Sequence, residues 1–464
     1  MVANLGVINS IVMSNASHTS ANAIQVARSL AAVWHPCTQM KHHEQFPLLP
    51  IARAEGAWLI DYEGNRYLDA VSSWWVNLFG HANPRINAAL KTQLDTLEHA
   101  MLAGFTHEPA IELSERLAQL TGLGHAFYGS DGASAVEIAL KMSFHYWRNV
   151  GKPGKQKFVS LAGSYHGETL GALAVTDVAI FRDAYGPLLN NNLLVPCPGQ
   201  ASAISIYADS ADDAACCPEC VVDAAAALES LLAERAEEIA AFIIEPLVQG
   251  AAGMRIYHPD YVRRARELCS KYGVHLIADE IMTGFGRTGT MFAIEQAGIK
   301  PDFICLSKGL TGGYLPLSCV LSSDHIYAAF YDDDVARGFL HSHSYTGSAL
   351  ACRAALATLD IFATDAVIEG NRSKAQRFTA LAATIRQHPR VKNFRHLGMI
   401  WAFDVDSADK KFAREFFAQA LKRGVLLRPI GNTVYFMPPY IVDDREFAWL
   451  VEQTIATINE MAAA

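Results

Sequence analysis

Short apolar runs alternate with amphipathic segments through the middle of the chain, from about residue 85 to 350. The apolar runs have the length and composition of buried strands, and the segments between them repeat apolar residues with the period of an α-helix. Alternation of this kind predicts an α/β fold with a mostly parallel sheet and helices on both faces. The predicted strands are HAFYGS, KFVSLAG, AAFIIEP, VHLIADE, FICLSK and LSCVLSS.

The two ends of the chain show other patterns. The first 80 residues are irregular, apart from two short alternating strands joined by an EGN turn in GAWLIDYEGNRYLDA. The last 110 residues predict a small α+β domain, with the segments WAFDV, KFAREFFAQALKRG, VLLRPI and TVYFMPPY followed by a last helix. We therefore expect an N-terminal arm with part of the small domain at 1–80, a large domain at 81–350 and a C-terminal small domain at 351–464.

Composition narrows the class of protein. Of the 464 residues 51% are hydrophobic and 18% are charged, which is typical of a globular chain with more than one core. The net charge of −9 and the lack of a basic stripe argue against nucleic acid as a partner. No apolar run reaches the length of a membrane span, and the N-terminus lacks a cationic segment ahead of an apolar one. The cytoplasm is the expected location, with no membrane partner.

The cysteines contain one candidate metal site. Most of the nine stand singly in apolar surroundings, as in proteins of a reducing compartment. Cys216, Cys217 and Cys220 lie close together with Cys197 upstream, so that four thiolates could surround a zinc ion. The second pair lacks the spacing of a zinc knuckle, and an exposed loop without metal is the favoured interpretation.

The stretch LIADEIMTGFGRTG at 276–289 contains the pattern GxGxxG. Such glycines bind a dinucleotide when they close a strand, open a helix and precede a second strand that ends in an acid. Here Asp279 and Glu280 already stand at the strand end, where they would repel a pyrophosphate, and Asp302 precedes the next apolar run instead of following it. A nicotinamide-dependent oxidoreductase is therefore kept only as an alternative from a different class.

Polar residues follow the carboxyl ends of the predicted strands, where doubly wound sheets bind their ligands. HAFYGS is followed by Gly132, Ala133 and Ser134 at the start of a helix, and glycines with a hydroxyl at a helix start form an anion site suited to phosphate. Lys308 ends the run FICLS in apolar surroundings, where desolvation lowers the pKa of an amine and favours its use as a nucleophile.

Three further strand ends complete a recognisable set of groups. Tyr165 follows KFVSLAG and can stack on a flat ring, and Glu245 ends AAFII. Asp279 and Ile281, two apart on one predicted strand, would point the same way, so that the carboxylate meets a ring nitrogen while the branched side chain supports the ring. A lysine nucleophile, a carboxylate, a phosphate cradle and an aromatic ring together describe a site for pyridoxal 5′-phosphate.

At this point the sequence resembles the class III aminotransferases of fold type I. The resemblance rests on DEIMTGFGRTG followed by PDFICLSKGLTGGYLP, with 29 residues from Asp279 to Lys308, and extends from about residue 30 to 460. It implies that Lys308 forms the Schiff base and moves the proton, that Asp279 keeps the ring nitrogen protonated, and that Ser344 reaches across from a second subunit of a homodimer. The cofactor-binding residues expected are Gly132, Ala133, Ser134, Tyr165, Glu245, Asp279, Ile281, Lys308 and Ser344.

Three segments resemble one branch of this class, which acts in biotin biosynthesis: WHPCTQM (34–40), SSWWVNLFGH (72–81) and LLRPIGNTVYFMPPY (426–440). The resemblance implies a ping-pong transfer of an amino group from S-adenosylmethionine to 8-amino-7-oxononanoate, which gives 7,8-diaminononanoate. The acceptor has a carboxylate at the end of a methylene chain, so it requires an apolar tunnel ending in an arginine. The substrate-binding residues expected are Trp74, Trp75, Tyr165, Ser342, Arg428 and Cys37.

Trp74 and Trp75 are interpreted as pocket residues, with ordinary core as the alternative. Two adjacent residues of a strand cannot both face one core, which favours the pocket. Members of the branch often have tyrosine where this chain has Cys37 and aspartate where it has Glu168, so lysine is an alternative amino donor. An ω-amino acid:pyruvate transaminase of the same class is a second alternative, since it would share the cofactor site without needing Trp74, Trp75 and Arg428.

Overall fold

The computed structural model describes residues 20–46, 48–190, 192–199 and 218–463. Its strands are β1 (Ile51–Glu55), β2 (Trp58–Asp61), β3 (Arg66–Asp69), β4 (His125–Gly129), β5 (Lys157–Leu161), β6 (Leu193–Val195), β7 (Ile239–Ile244), β8 (Val248–Gln249), β9 (Arg255–Ile256), β10 (His275–Asp279), β11 (Phe303–Leu306), β12 (Ser318–Ser322), β13 (Val391–Leu397), β14 (Ile400–Val405), β15 (Val425–Leu426) and β16 (Thr433–Phe436).

The helices of the same residues are α1 (Ala21–Ala32), α2 (Ser72–Trp75), α3 (Pro84–Leu94), α4 (Glu108–Thr121), α5 (Gly132–Asn149), α6 (Leu170–Ala174), α7 (Ala179–Arg182), α8 (Pro218–Arg235), α9 (Pro259–Tyr272), α10 (Ile294–Ala297), α11 (Asp324–Ala328), α12 (Ala349–Thr364), α13 (Val367–Leu381), α14 (Ala383–Arg386), α15 (Phe412–Lys422) and α16 (Asp444–Ala463). No helix in these ranges is both long enough and apolar enough to cross a membrane.

A seven-stranded sheet with the order β4-β12-β11-β10-β7-β5-β6 forms the centre of the molecule. It contains all six predicted strands, and only β12 runs antiparallel to its neighbours. The prediction of an α/β fold with a mostly parallel sheet is therefore confirmed. The edge strand β6 was not predicted, because three residues are too few to give a distinct pattern.

Helices cover both faces of this sheet, which explains why its strands are continuous apolar runs. Successive side chains of β7 point to opposite faces: Ile243 packs with α5 residues, whereas Phe242 and Ile244 pack with residues of α8 and α9. Every residue of β7 and β10 is buried. Both faces thus exclude water, and the polar groups of the strand ends lie at the edge of a dry core.

The two ends of the chain meet in a second sheet with the order β1-β2-β3-β15, in which β15 runs parallel to β3. A third sheet, β13-β14-β16, is antiparallel and carries the predicted segments WAFDV and TVYFMPPY. The EGN turn joins β2 to β3 as predicted. The boundaries at residues 80 and 350 stay a prediction.

The expectation that the first 80 residues are irregular is wrong for α1. Ser20 caps this helix by accepting a hydrogen bond from the N–H of Ala23 at 3.2 Å. Its link to the hairpin is polar, since the Asn22 side chain donates to Asp61 at 2.8 Å. None of the residues of α1 is buried in this chain, and its apolar side chains Ile24 and Leu30 are exposed.

Candidate active site

A cavity of about 500 Å³ lies beyond the carboxyl ends of the parallel strands, where a doubly wound sheet binds its ligand. Residues that follow β4, β5, β7, β10 and β11 all contribute to its wall. Its lining consists of Trp75, Asp131, Gly132, Ala133, Tyr165, His166, Gly167, Glu168, Thr169, Glu245, Asp279, Ile281, Met282, Thr283 and Lys308.

Lys308 stands two residues after the end of β11, where the backbone turns sharply. Its φ is +47°, a conformation that costs free energy in a residue with a side chain and is found mainly at functional sites. The amine lies 4.9 Å from the centre of a Trp75 ring. Burial lowers the pKa of Lys308, and the carboxylates of Asp279 and Glu245 oppose that shift. The lowered pKa makes the neutral, nucleophilic amine more accessible.

Asp279 is the last residue of β10 and is held by a histidine. Its Oδ2 lies 2.7 Å from Nδ1 of His166, and both side chains are buried. The His166 N–H donates to the hydroxyl of Thr176 at 2.9 Å, which fixes the backbone beside the ring. His166 was not among the site residues predicted from the sequence. The signal that would have found it is a titratable residue at the end of a neighbouring strand.

The prediction that Asp279 and Ile281 share a strand is wrong, because β10 ends at Asp279 and Ile281 lies in the turn that follows. Both side chains nevertheless line the cavity. A Cβ at Gly132 would lie 3.0 Å from a methyl group of Ile281. Glycine at this position therefore lets the start of α5 approach the turn closely.

The start of α5 provides N–H groups beside the cavity. Asp131 caps the helix by accepting from the N–H of Ser134 at 2.9 Å. The first N–H groups of a helix have no partner within the helix, so those of Gly132 and Ala133 remain as donors for an anion. Ser134 lies outside the cavity lining, and its N–H is already used by Asp131.

Glu245 holds the backbone around the cavity. It accepts hydrogen bonds from the N–H of Tyr165 at 2.9 Å and from that of Gly250 at 3.1 Å. Burial raises the pKa of Glu245 to about 7. The hydroxyl of Tyr165 donates to Glu168 at 2.9 Å. The orientation of Tyr165 is thus fixed at both its backbone and its side chain.

The tryptophan pair does not lie on a strand, so the strand argument for these residues is wrong. Ser72–Trp75 forms a turn with left-handed dihedral angles, which separates the two rings. Trp75 is 6% exposed and lines the cavity, whereas Trp74 is 43% exposed and stacks against Arg428, whose guanidinium carbon is 4.5 Å from a Trp74 ring centre.

The cavity therefore brings together eight of the predicted site residues: Trp75, Gly132, Ala133, Tyr165, Glu245, Asp279, Ile281 and Lys308. Six others lie outside its lining: Cys37, Trp74, Ser134, Ser342, Ser344 and Arg428. Of these six, all but Ser134 are exposed in the single chain: Cys37, Trp74, Ser342, Ser344 and Arg428.

The possible zinc cluster is only partly visible. Cys197 is a free thiol, and Cys216 and Cys217 lie outside the described residues. Within the described ranges no group of three potential ligands is placed to hold a metal ion.

The groups in the cavity fit pyridoxal 5′-phosphate. Asp279 is a buried carboxylate aimed from a strand end, Lys308 is an amine with a lowered pKa, Tyr165 is a fixed aromatic ring, and α5 begins beside them. Nε2 of the buried His166 has no protein partner among the described residues. Together with the sheet topology, this donor set defines a pyridoxal phosphate-dependent transferase of fold type I.

Comparison with known proteins gives the family. The family model of aminotransferase class-III matches residues 38–458. The chain is 47% identical over 443 residues to the adenosylmethionine-8-amino-7-oxononanoate aminotransferase of Helicobacter pylori, covering 94% of this chain and 98% of that protein. It therefore belongs to the class III aminotransferase family and is a pyridoxal phosphate-dependent transaminase.

Solved structures agree with this assignment. The crystal structure of adenosylmethionine-8-amino-7-oxononanoate aminotransferase from Methanocaldococcus jannaschii has a TM-score of 0.87 and 35% sequence identity, covering 94% of this chain and 99% of that one. The omega transaminase from Pseudomonas jessenii in complex with PMP has a TM-score of 0.87 and 28% identity, covering 96% and 99%. The predicted fold type and cofactor are confirmed.

We expect Lys308→Ala to abolish turnover, because the variant lacks the only amine in the described lining of the cavity. The variant should still bind the cofactor through Asp279 and the start of α5. Steady-state turnover and equilibrium dialysis with pyridoxal 5′-phosphate measure the two properties. Lys271→Ala, which removes an exposed amine paired with Glu229, is the control and should stay active. Turnover by Lys308→Ala near that of the control would contradict the role of Lys308.

We expect Asp279→Asn to retain the cofactor and lose about 10²- to 10³-fold in turnover, as when a preorganised electrostatic partner is removed. The amide keeps the shape of the carboxylate but not its charge. The measurement is turnover at saturating cofactor. The surface control is Asp406→Asn, because Asp406 pairs with Lys392 and neither residue lines the cavity. Equal turnover in both variants would mean that another group carries the role.

Proposed function

We propose that this transaminase transfers the amino group of S-adenosylmethionine to 8-amino-7-oxononanoate and so forms 7,8-diaminononanoate in biotin biosynthesis. Relatives such as the Helicobacter pylori protein carry the corresponding name. The observation that carries the proposal is an aromatic path from the reactive amine to an exposed arginine. Among the described residues this arginine, Arg428, has no acidic partner within salt-bridge distance.

The path begins at Lys308 and runs through Trp75 and Tyr435 toward Arg428. Trp75 lies 4.9 Å from the amine, and its indole N–H donates to the hydroxyl of Tyr435 at 3.1 Å. Burial raises the pKa of Tyr435 to about 12, and Arg428 is near enough to oppose the rise. Trp74 then stacks on Arg428 at 4.5 Å.

These residues suit a substrate with a reactive carbonyl at one end and a carboxylate at the other. The methylene chain of the acceptor would lie against the aromatic wall, and its carboxylate would pair with the planar guanidinium of Arg428. Because Arg428 is exposed and has no acidic partner in the described part of the chain, it has donors left for a ligand.

The amino donor would meet a negative charge. Glu168 lines the cavity and holds the hydroxyl of Tyr165. Its carboxylate suits a cationic donor, and the sulfonium of S-adenosylmethionine is a cation. The ammonium of lysine is a cation too, so Glu168 favours a charged donor over a neutral one.

The protein groups divide the chemistry between them. Pyridoxal 5′-phosphate, when bound, supplies the electron sink for loss of the proton beside the amino group. Lys308 is the base placed to take that proton, because burial lowers the pKa of its amine. Asp279 supplies a fixed negative charge that His166 holds in place at 2.7 Å. Trp75 and Tyr165 reduce the access of water to the amine.

We infer that two chains form a homodimer with shared sites. Ser344 is exposed and does not line the cavity described in its own chain. Near it, Met101, Phe105 and Tyr345 are more than half exposed, and the rings of His99 and Tyr345 lie 4.9 Å apart. A contiguous apolar patch of this kind is typical of an interface. A second copy on this patch would bring a hydroxyl to the phosphate end of its neighbour's site.

We infer a cytoplasmic location from the cysteines and the substrates. Six described cysteines are free thiols, as expected in a reducing compartment: Cys37, Cys197, Cys269, Cys305, Cys319 and Cys352. Both proposed substrates are small molecules, so the proposed reaction needs no membrane or nucleic acid partner.

We expect Arg428→Ala to impair the half-reaction with 8-amino-7-oxononanoate by about 2 to 5 kcal/mol, because a carboxylate would be left unpaired in a partly dry tunnel. The half-reaction with S-adenosylmethionine should change less. Single-turnover absorbance of the bound cofactor follows each half-reaction separately.

The control for this variant is Arg423→Ala. Arg423 lies close to Arg428 in the sequence but already pairs with Glu460 of the last helix. A keto analogue without the carboxylate should react equally with Arg428→Ala and wild type. Equal loss in both half-reactions would show that Arg428 binds a carboxylate common to donor and acceptor. That result would favour an ω-amino acid:pyruvate transaminase and contradict the proposal.

A further inference from the structure

A second cavity, of about 580 Å³, lies beside the helix α5. Residues of α5, β5 and α6 form most of its wall together with the segment 336–341. Its described lining shares no residue with that of the catalytic cavity. Pockets of this volume commonly bind small molecules, so the second cavity is a candidate for a separate ligand site.

Two cationic side chains of α5 line this cavity, Lys141 and Arg148. The positions 141 and 148 are seven residues apart, which is almost two helical turns, so both lie on one face of the helix and their Cα atoms are separated by about 10 Å along its axis. Both residues are exposed. Among the described residues neither has a carboxylate within salt-bridge distance, so both charges are available to an anion.

Aromatic rings line the cavity between the two cations. Phe144 lies between them on α5, and the guanidinium carbon of Arg148 is 5.9 Å from the centre of its ring. Phe339 lines the cavity from the segment 336–341, and the amine of Lys141 is 5.8 Å from the centre of that ring. An edge contact with Phe127, at 5.3 Å between ring centres, holds Phe339. The cavity thus combines two separated charges with an apolar surface.

His341 holds Lys141 in place without neutralising its charge. Nδ1 of His341 lies 2.8 Å from Nζ of Lys141. An ammonium group can only donate, so this nitrogen accepts and the imidazole is neutral. Burial lowers the pKa of His341, and the neighbouring Lys141 and His343 lower it further, against the opposing effect of Glu137. Lys141 therefore keeps its charge and two of its three N–H groups for a ligand.

Glu137 is the one carboxylate in the described lining of this cavity, and it is already bound by the backbone. Its Oε1 accepts hydrogen bonds from the N–H groups of Gly171 at 2.7 Å and of Ala172 at 3.3 Å. A Cβ at Gly171 would overlap the carboxylate, so glycine permits this close approach. Lys141 and Arg148 together outweigh this single negative charge, and the wall is positive.

We propose that this cavity binds an aliphatic α,ω-dicarboxylate. One carboxylate pairs with the ammonium of Lys141, the other pairs with the guanidinium of Arg148, and the methylene chain lies against Phe144 and Phe339. An extended chain advances about 3.6 Å over three bonds, so bridging about 10 Å less the reach of the two side chains takes about six to eight bonds between the carboxyl carbons. The inference does not depend on the substrates proposed for the catalytic cavity.

Isothermal titration calorimetry of the holoenzyme with octanedioate, octanoate and butanedioate tests this proposal. The titrations use the Arg428→Ala background, so that the arginine proposed to hold a carboxylate in the catalytic site is absent. We expect octanedioate to bind about tenfold more tightly than octanoate, because octanoate lacks one of the two charge-assisted hydrogen bonds. Butanedioate should be weaker than octanedioate by a similar factor, because it is too short to reach both cations.

Arg148→Met removes one charge from the cavity and keeps a long apolar side chain. We expect it to lower the affinity for octanedioate about tenfold and to leave that for octanoate within about twofold, so that the two ligands become nearly equal. Lys141→Met should have the same effect. Lys152→Ala is the control, because Lys152 is an exposed cation shortly after α5 that does not line the cavity. It should leave both affinities unchanged.

Melting temperatures without ligand show whether each variant is folded, and Arg148→Gln replaces Arg148→Met if the latter does not fold. Absence of octanedioate binding would overturn the proposal, and so would equal affinity for octanedioate and octanoate before either charge is removed. Equal losses for both ligands in Arg148→Met and Lys141→Met would show a site for single anions and contradict the dicarboxylate. Affinities unchanged in both variants would place the ligand outside this cavity and contradict the proposal as well.

Discussion

The balance between burial of the Lys308 amine and its attraction to two carboxylates is the interaction on which this site depends. Burial lowers the pKa of the amine, and Asp279 and Glu245 oppose that shift. The three side chains follow the neighbouring strands β11, β10 and β7. Parallel strands end at the same edge of a sheet. This topology therefore brings together an amine and two carboxylates that are far apart in the sequence.

Segments from both ends of the chain complete the cavity. The turn at Ser72–Trp75 comes from the N-terminal part and supplies the indole beside Lys308, whereas Arg428 and Tyr435 come from the C-terminal part. β3 and β15 pair in one sheet, so these distant segments meet on a common support. The central sheet thus positions the reactive groups, and segments from the two ends of the chain shape the cavity around those groups.

The elements that could be predicted are those whose pattern is local. Each strand of the central sheet that was predicted is a continuous apolar run, and the polar residues after these runs form the cavity. The strand β10 was predicted to continue to Ile281, but it ends at Asp279. In the sequence, an apolar residue of a buried turn looks like one more strand position. The helix α1 was not predicted, and none of its residues is buried in this chain.

Other features depend on contacts that sequence spacing does not show. His166 meets Asp279 across 113 positions, and Arg287 reaches Asn77 across 210. The left-handed turn at Ser72–Trp75 contains no glycine, so nothing in its own residues favours it. Hydrogen bonds with Asp69, Arg287 and Met437 help to hold it. These tertiary contacts override local preference at the site where the reaction takes place.

The substrate assignment is tested most directly by the amino transfer rates of the purified holoenzyme over a matrix of donors and acceptors. The donors are S-adenosylmethionine, lysine and an ω-amino acid, and the acceptors are 8-amino-7-oxononanoate and pyruvate. We expect the highest kcat/KM for S-adenosylmethionine with 8-amino-7-oxononanoate. A higher value for the ω-amino acid with pyruvate would contradict it.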